Sequence, residues 1–248
     1  MKQKPMKSTL KRILLLVCDL VLLPAVLVYR IQSRIVGRDR SFSSWAQFFC
    51  LLPGIAGVYA RAAFFRRTMR RFDEDAWVSF GTIFSHADVS IGRSAYIGNY
   101  CCIGAVTIED DVLIASGVSI MNGCRQHGIE SLDIPIREQP GVYEPVTIGY
   151  GSWVGEKATV AANVGRHCVI GAGSLVLKPV PDYSIVAGVP ARIIGDRRNR
   201  VTRSSAKSYS KAAATETLSI SDSCPDAWSI PAESAESELQ LPVSAAGL

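Results

Sequence analysis

Three histidines stand among 248 residues, and only one of them sits where the chain departs from its own pattern. His127 lies in a polar excursion that opens Met121-Asn122-Gly123-Cys124-Arg125-Gln126-His127 and closes Gly141-Val142-Tyr143. Imidazole titrates nearer neutrality than any other side chain, which suits it to take a proton from a hydroxyl and return it within one turnover. Such a base needs its second ring nitrogen held by a carboxylate or carbonyl, and Glu130, Asp133 and Glu138 are all close enough in sequence to serve. Cys124, three residues away, is a rival nucleophile if a base lowers its pKa. His86 and His167 occupy positions inside the repeating pattern and read as structural. With the three histidines in distant repeats, no zinc site is expected.

That excursion interrupts a beat of aliphatic residues every six positions: Ile91, Ile97, Ile103, then Ile108, Ile114, Ile120, and again Ile148, Val154, Val160. After a shortened step it resumes at Val164, Ile170 and Val176, often with glycine next and with a compact residue at the fifth place (Ala95, Cys101, Ala158, Cys168, Ser174). Neither a helical period of 3.6 nor strand alternation yields this spacing. It is the mark of a hexapeptide β-solenoid, in which one aliphatic per short strand stacks on its counterpart in the next coil. The beat is expected to begin near Val78 and to stop at Pro179-Val180-Pro181, where proline ends a ladder. A cap at 185–194 would follow.

Charge is segregated. The formal net charge is +5, yet Ala76–Ala191 holds six Lys/Arg against ten Asp/Glu. The basic residues flank two apolar stretches, Ile13–Tyr29 and Trp45–Phe65, each interrupted by Pro, and the first also by Asp19. Both are short for a bilayer span, and an aspartate inside one is costly there. Shallow or interfacial helices on a membrane surface fit better than a nucleic-acid partner; an ordinary helical subdomain packed on the solenoid and a true transmembrane anchor are the alternatives. Seven cysteines without a C-x-x-C pair point to reduced thiols and a cytoplasmic compartment, at the inner face of the plasma membrane or free of it. Residues 1–72 then form a membrane-associated helical region and 73–198 the hexapeptide domain, with a catalytic loop at 121–145. Residues 199–248, Ser/Ala-rich and ending acidic, read as a disordered tail.

The doubled hexads, the closing run Ile170-Gly171-Ala172-Gly173-Ser174, and Val186-Ala187-Gly188-Val189-Pro190-Ala191-Arg192 together resemble the hexapeptide-repeat acyltransferases over about Val78–Ile194. The loop resembles a membrane-linked branch associated with surface polysaccharides. The resemblance implies a mainly β, left-handed parallel β-helix, a homotrimer with clefts between subunits, acetyl-CoA as co-substrate and no metal. It makes His127 the general base of direct acetyl transfer. It places Trp153, Gly155, Ala172 and Gly173 along the pantetheine arm, and Lys178 and Arg192 near the adenosine phosphates. Glu156 departs from the Ser or Ala common after Trp-x-Gly. The sugar-binding positions of relatives are not matched by Tyr100-Cys101-Cys102-Ile103. Arg125 and Arg137 suit a polar or anionic acceptor, and the apolar N-terminus suits a lipid-linked saccharide. A small acceptor such as serine, a free sugar or an antibiotic is the nearest rival reading, and a silent scaffold another.

Overall fold

The computed structural model describes residues 5–199, with side chains from residue 13 onward; the tail expected from residue 199 lies outside it from residue 200. Short parallel strands wind through three faces, coil upon coil. On the first face Phe72, Ile91, Ile108 and Ile148 stack in register and isolated bridges carry the column to Val164 and Val180. The second face stacks Val78, Ile97, Ile114, Val154, Ile170 and Val186. The third stacks Phe84, Ile103, Ile120, Val160 and Val176. The twelve residues of the sixfold beat all lie in these columns, joined by Phe72, Val78, Phe84, Val180 and Val186, and all but Phe72 and Val180 are essentially solvent-free. Each buried side chain of this size contributes roughly 1.5–3 kcal/mol, so the columns are the core. Ala95, Cys101, Ala158, Cys168 and Ser174 fill the corners between them.

Two of the three edges turn by a fixed device. Between the first and second faces a left-handed residue recurs: Ser94, Asp111, Gly151, His167, Tyr183. Between the second and third it recurs at Gly81, Tyr100, Gly117, Lys157 and Gly173. The short turns of the remaining edge, at 85–89, 104–105, 161–163 and 177–179, have no residue in that region. It is there that the chain bows out into 121–145.

The solenoid is longer than the sequence suggests at both ends. Its first strand is Arg71–Phe72, not a strand near Val78. At the other end Val180 keeps both ladder bonds: its N–H donates to the Asn163 carbonyl (2.9 Å) and its carbonyl accepts from Gly165 N–H (2.9 Å). The flanking prolines fall in the turns, where no ladder donor is needed, so the coil continues into Ser184–Ala187. A last strand, Arg192–Asp196, then folds back antiparallel.

Four helices lie at the first coil: α1 (Pro5–Val21), α2 (Leu23–Val36), α3 (Arg38–Cys50) and α4 (Gly54–Thr68). α3 and α4 close the coil's end. Phe65 meets Phe84 and Phe72 at ring separations of 5.2 and 5.8 Å. The fully buried Arg61 donates to the carbonyls of Val78 (3.1 Å), Phe49 (3.1 Å) and Leu52 (2.8 Å). Asp19, an obstacle in the apolar run when read as sequence, turns inward and pairs with Arg66 and Arg67 of α4. The outward side of α1 and α2 keeps Ile13, Leu16, Leu20, Leu23, Leu27 and Ile31 exposed. Among the described residues no single helix is long and apolar enough to cross a membrane; Ile13–Val21 and Leu23–Val36 reach that length only together, bent by 50°.

Candidate active site

The irregular edge gathers the polar chemistry. Asn122, buried at the root of the loop, accepts the Ala105 N–H on Oδ1 at 2.5 Å and sits where any side chain on Gly104 would have to go. The two legs of the loop are then tied: Val142 N–H donates to the Arg125 carbonyl (2.7 Å) and Glu144 N–H to that of Asn122 (3.1 Å). Gly141 is required between them, because a Cβ there would lie 1.9 Å from the Gln126 carbonyl oxygen. Further out, Gln139 is buried. Its Nε2 donates to the carbonyls of Ser131 (2.8 Å) and Ile134 (2.9 Å), and its Oε1 accepts the Ser131 N–H (3.0 Å). A lone glutamine in a polar loop carries no pattern, so sequence reading does not find this clamp.

His127 follows the legs and is exposed. Among the described residues its imidazole has no hydrogen-bond partner, so none of the three carboxylates holds it. Glu130 accepts its neighbour's N–H at Ile129 (2.8 Å), Glu138 faces Arg137 (3.4 Å), and Asp133 engages Ser131 through its own N–H (3.2 Å). Arg125 pairs with Glu144 at 3.2 Å, also exposed. Cys124 is exposed as well, its sulfur 3.8 Å from the Leu177 carbonyl.

From the loop a groove follows the same edge along the coils. One cavity of about 290 Å³ is lined by Cys124, Arg125, Ala161, Leu177 and Pro179. A second, of about 460 Å³, shares Leu177 and Pro179 and adds Lys178, Ala191 and Arg192. The root of the loop and the two basic residues singled out from sequence therefore line two adjoining cavities that share Leu177 and Pro179, and His127 lines neither. Positive charge at the far end suits phosphate groups.

The other candidates lie elsewhere. Trp153 stands on the outside of the second face, in register with Leu113 and Val169, and continues an apolar column begun by Trp77 and Tyr96. Ala172 and Gly173 are exposed at the edge between the second and third faces, where Gly173 N–H donates to the Glu156 carbonyl (2.8 Å). Gly155 is buried, and a Cβ there would meet the Ala172 nitrogen at 2.6 Å. Coil stacking alone thus demands the glycine. Within one chain the proposed pantetheine residues and the loop belong to different edges.

The two remaining histidines part company. His167 is sandwiched by Tyr150 and Tyr183 and is structural. His86, read from sequence as solvent-facing and structural, is half-buried on the loop's own edge: its Nδ1 lies 2.8 Å from Ser85 Oγ and 3.4 Å from Asn122 Nδ2. Buried thiols at Cys101 and Cys168 are pushed above their ordinary pKa by loss of solvent. Among the described residues no three His, Cys, Asp or Glu side chains converge as metal ligands would.

A family model described as the hexapeptide repeat of succinyl-transferase matches residues 88–121 and 145–178, leaving out the loop. A probable acetyltransferase of Mycobacterium tuberculosis is 33% identical over 150 residues, 56% of this chain and 48% of that protein. The chain thus spans about half the length of that relative. Galactoside O-acetyltransferase of Escherichia coli is 32% identical over 58% of this chain and 71% of its own length. Escherichia coli WbbJ, named for lipopolysaccharide biosynthesis O-acetyl transfer, is 36% identical over 46% of this chain and 60% of its own. Among solved structures, a galactoside acetyltransferase in complex with coenzyme A superposes with a TM-score of 0.54 at 26% identity, covering 66% of this chain and 83% of that one. The stacked hexads, the match to the repeat model and these relatives lead to one assignment: the chain belongs to the hexapeptide-repeat acyltransferase family.

Proposed function

We propose that this protein is an acetyl-CoA-dependent O-acetyltransferase that modifies a sugar hydroxyl of a surface polysaccharide or its lipid-linked precursor at a membrane surface. The observation that carries the reading is the pair of adjoining cavities running from Cys124 and Arg125, at the root of the loop of His127, to Lys178 and Arg192. A pantetheine arm in those cavities sets a thioester beside the loop while its phosphates meet the two cations. His127 takes the proton of the acceptor hydroxyl as its oxygen attacks the thioester carbonyl; the C–S bond then breaks and the imidazole returns the proton to sulfur. Arg125 and Arg137 bind the acceptor. Trp153, Ala172 and Gly173 occupy other parts of the solenoid, so on this reading they serve the groove of a neighbouring copy, as in a homotrimer. The apolar column of the second face, Trp77, Tyr96, Leu113 and Trp153, all more than a third exposed, supports such packing.

The test is acetyl transfer by detergent-solubilised protein to a panel of lipid-linked saccharides, free sugars and serine, wild type beside His127→Ala. The expected result is transfer to a saccharide, lost in the variant while coenzyme A still binds. Transfer to serine alone would replace the acceptor class, and failure to bind coenzyme A would replace the enzyme with a scaffold.

A further inference from the structure

A pocket of about 380 Å³ lies on the helical layer, far from the repeat chemistry. It is lined by Leu23, Val26 and Leu27 of α2 together with Arg30 of α2 and Arg67 of α4. Three aliphatic side chains and two guanidinium groups make up its wall, and no carboxylate lines it. Arg67 is only loosely neutralised. Its terminal nitrogen is 3.7 Å from the Asp19 oxygen that Arg66 already holds, and its Nε is buried without a hydrogen-bond partner. Two guanidinium forks with no lining carboxylate are matched in shape and charge to a phosphate. The pocket opens amid the outward apolar side of α1 and α2, where Leu27 is 60% and Leu23 46% exposed.

We infer that this pocket binds one anionic, phosphate-headed membrane lipid, its phosphate between Arg30 and Arg67 and its chain along Leu23, Val26 and Leu27. The inference rests on the reading that these helices meet a bilayer. It gives that contact a defined site in place of diffuse charge attraction.

The experiment is binding of the full chain to phosphatidylcholine vesicles with and without phosphatidylglycerol, the latter also in photo-cross-linking form, at constant ionic strength. Cross-links are expected within 23–30 and at Arg67. Arg30→Gln should weaken binding to the anionic vesicles about 25-fold, the lost charge-assisted hydrogen bonds to the phosphate adding to the roughly fivefold effect of losing any one cation at a lipid surface. Arg34→Gln, on the same helix but outside the pocket, should cost only that diffuse share, about fivefold. Equal effects of the two substitutions, or cross-links scattered over the helices, would overturn the site while leaving membrane binding intact. Equal competition by millimolar inorganic phosphate would make free phosphate the ligand and overturn the lipid. If vesicles do not bind but short-chain phosphatidylglycerol does, protected by Arg30, the bilayer reading falls and the pocket stands. None of these readouts depends on acetyl transfer.

Discussion

Two edges of the same solenoid obey different rules. Between the second and third faces every turn spends one left-handed residue, two of them add a glycine packed on the next coil's backbone (Gly98 and Gly155), and the coils follow each other without interruption. Between the third and first faces the short turns use no left-handed residue, and that edge holds the 25-residue excursion, the cavities beside it and two histidines. The difference teaches where a repeat can afford to vary. A turn that must place one residue in the left-handed region fixes its length and leaves no room for insertion, whereas a turn free of that constraint can be opened without disturbing the columns behind it. Function on a rigid repeat then collects on the permissive edge.

Each prediction tests that contrast. The largest effect is expected at the open edge: His127→Ala should lower the initial rate of acetyl transfer by about 10²–10⁴-fold, read at saturating coenzyme. If the rate survives but falls in His86→Ala, the same edge is catalytic through its other imidazole. Thiol alkylation at pH 8 compares the edges directly. Cys124 and Cys102, both exposed, should react first, while Cys101 and Cys168, buried in the two regular edges, should be slower by ~100-fold, since exposure requires local opening. Their raised pKa works in the same direction, because less thiolate is present at any given pH. Labelling of Cys101 at the rate of Cys124 would contradict the rigid-edge account.

At the regular edge Gly98→Ala should cost about 1–3 kcal/mol in urea unfolding, because its Cβ would lie 2.6 Å from the Ala115 carbonyl carbon and the Ser116 nitrogen. Lys178→Ala and Arg192→Ala should each weaken coenzyme A binding by about fivefold, roughly 1 kcal/mol, in titration calorimetry. The smallest change is a gain. Lys157 sits at φ 56°, so Lys157→Gly should relieve about 1 kcal/mol of left-handed strain and raise the melting temperature by a few degrees.

Much of this was legible in the chain. The sixfold beat names nearly every inward residue of the columns, because each short strand sends an aliphatic inward to stack on its counterpart in the next coil. The loop is legible as the beat's failure between Ile120 and Val146. What escapes the pattern are contacts set by coil geometry. Arg71–Phe72 begins the solenoid although its surroundings are helix-like and arginine-rich. Val180 sustains it because its prolines occupy turns. Asp19 reads as an intruder in an apolar run until α4 brings Arg66 across to it, 47 residues later. His86 reaches Asn122 over 36 residues, two coils apart, and no local signal announces it. Gly155 carries two readings at once: its place beside Trp153 suits a coenzyme contact, and coil stacking independently requires the glycine.

The reversed strand Arg192–Asp196 bears on a hazard of all stacked repeats. A parallel solenoid ends in open strands that another molecule can extend, and endless stacking yields fibrils. Here the final parallel strand of the second face is occupied by a partner running the wrong way, with its register broken between Ile185 and Val186. Leu175 on the third face has its N–H and carbonyl taken by Gly188 and Ala191. At the opposite end α3 and α4 cover the first coil. Both termini of the stack are thus blunted, and polymerisation by templated strand addition finds no matching edge on those faces.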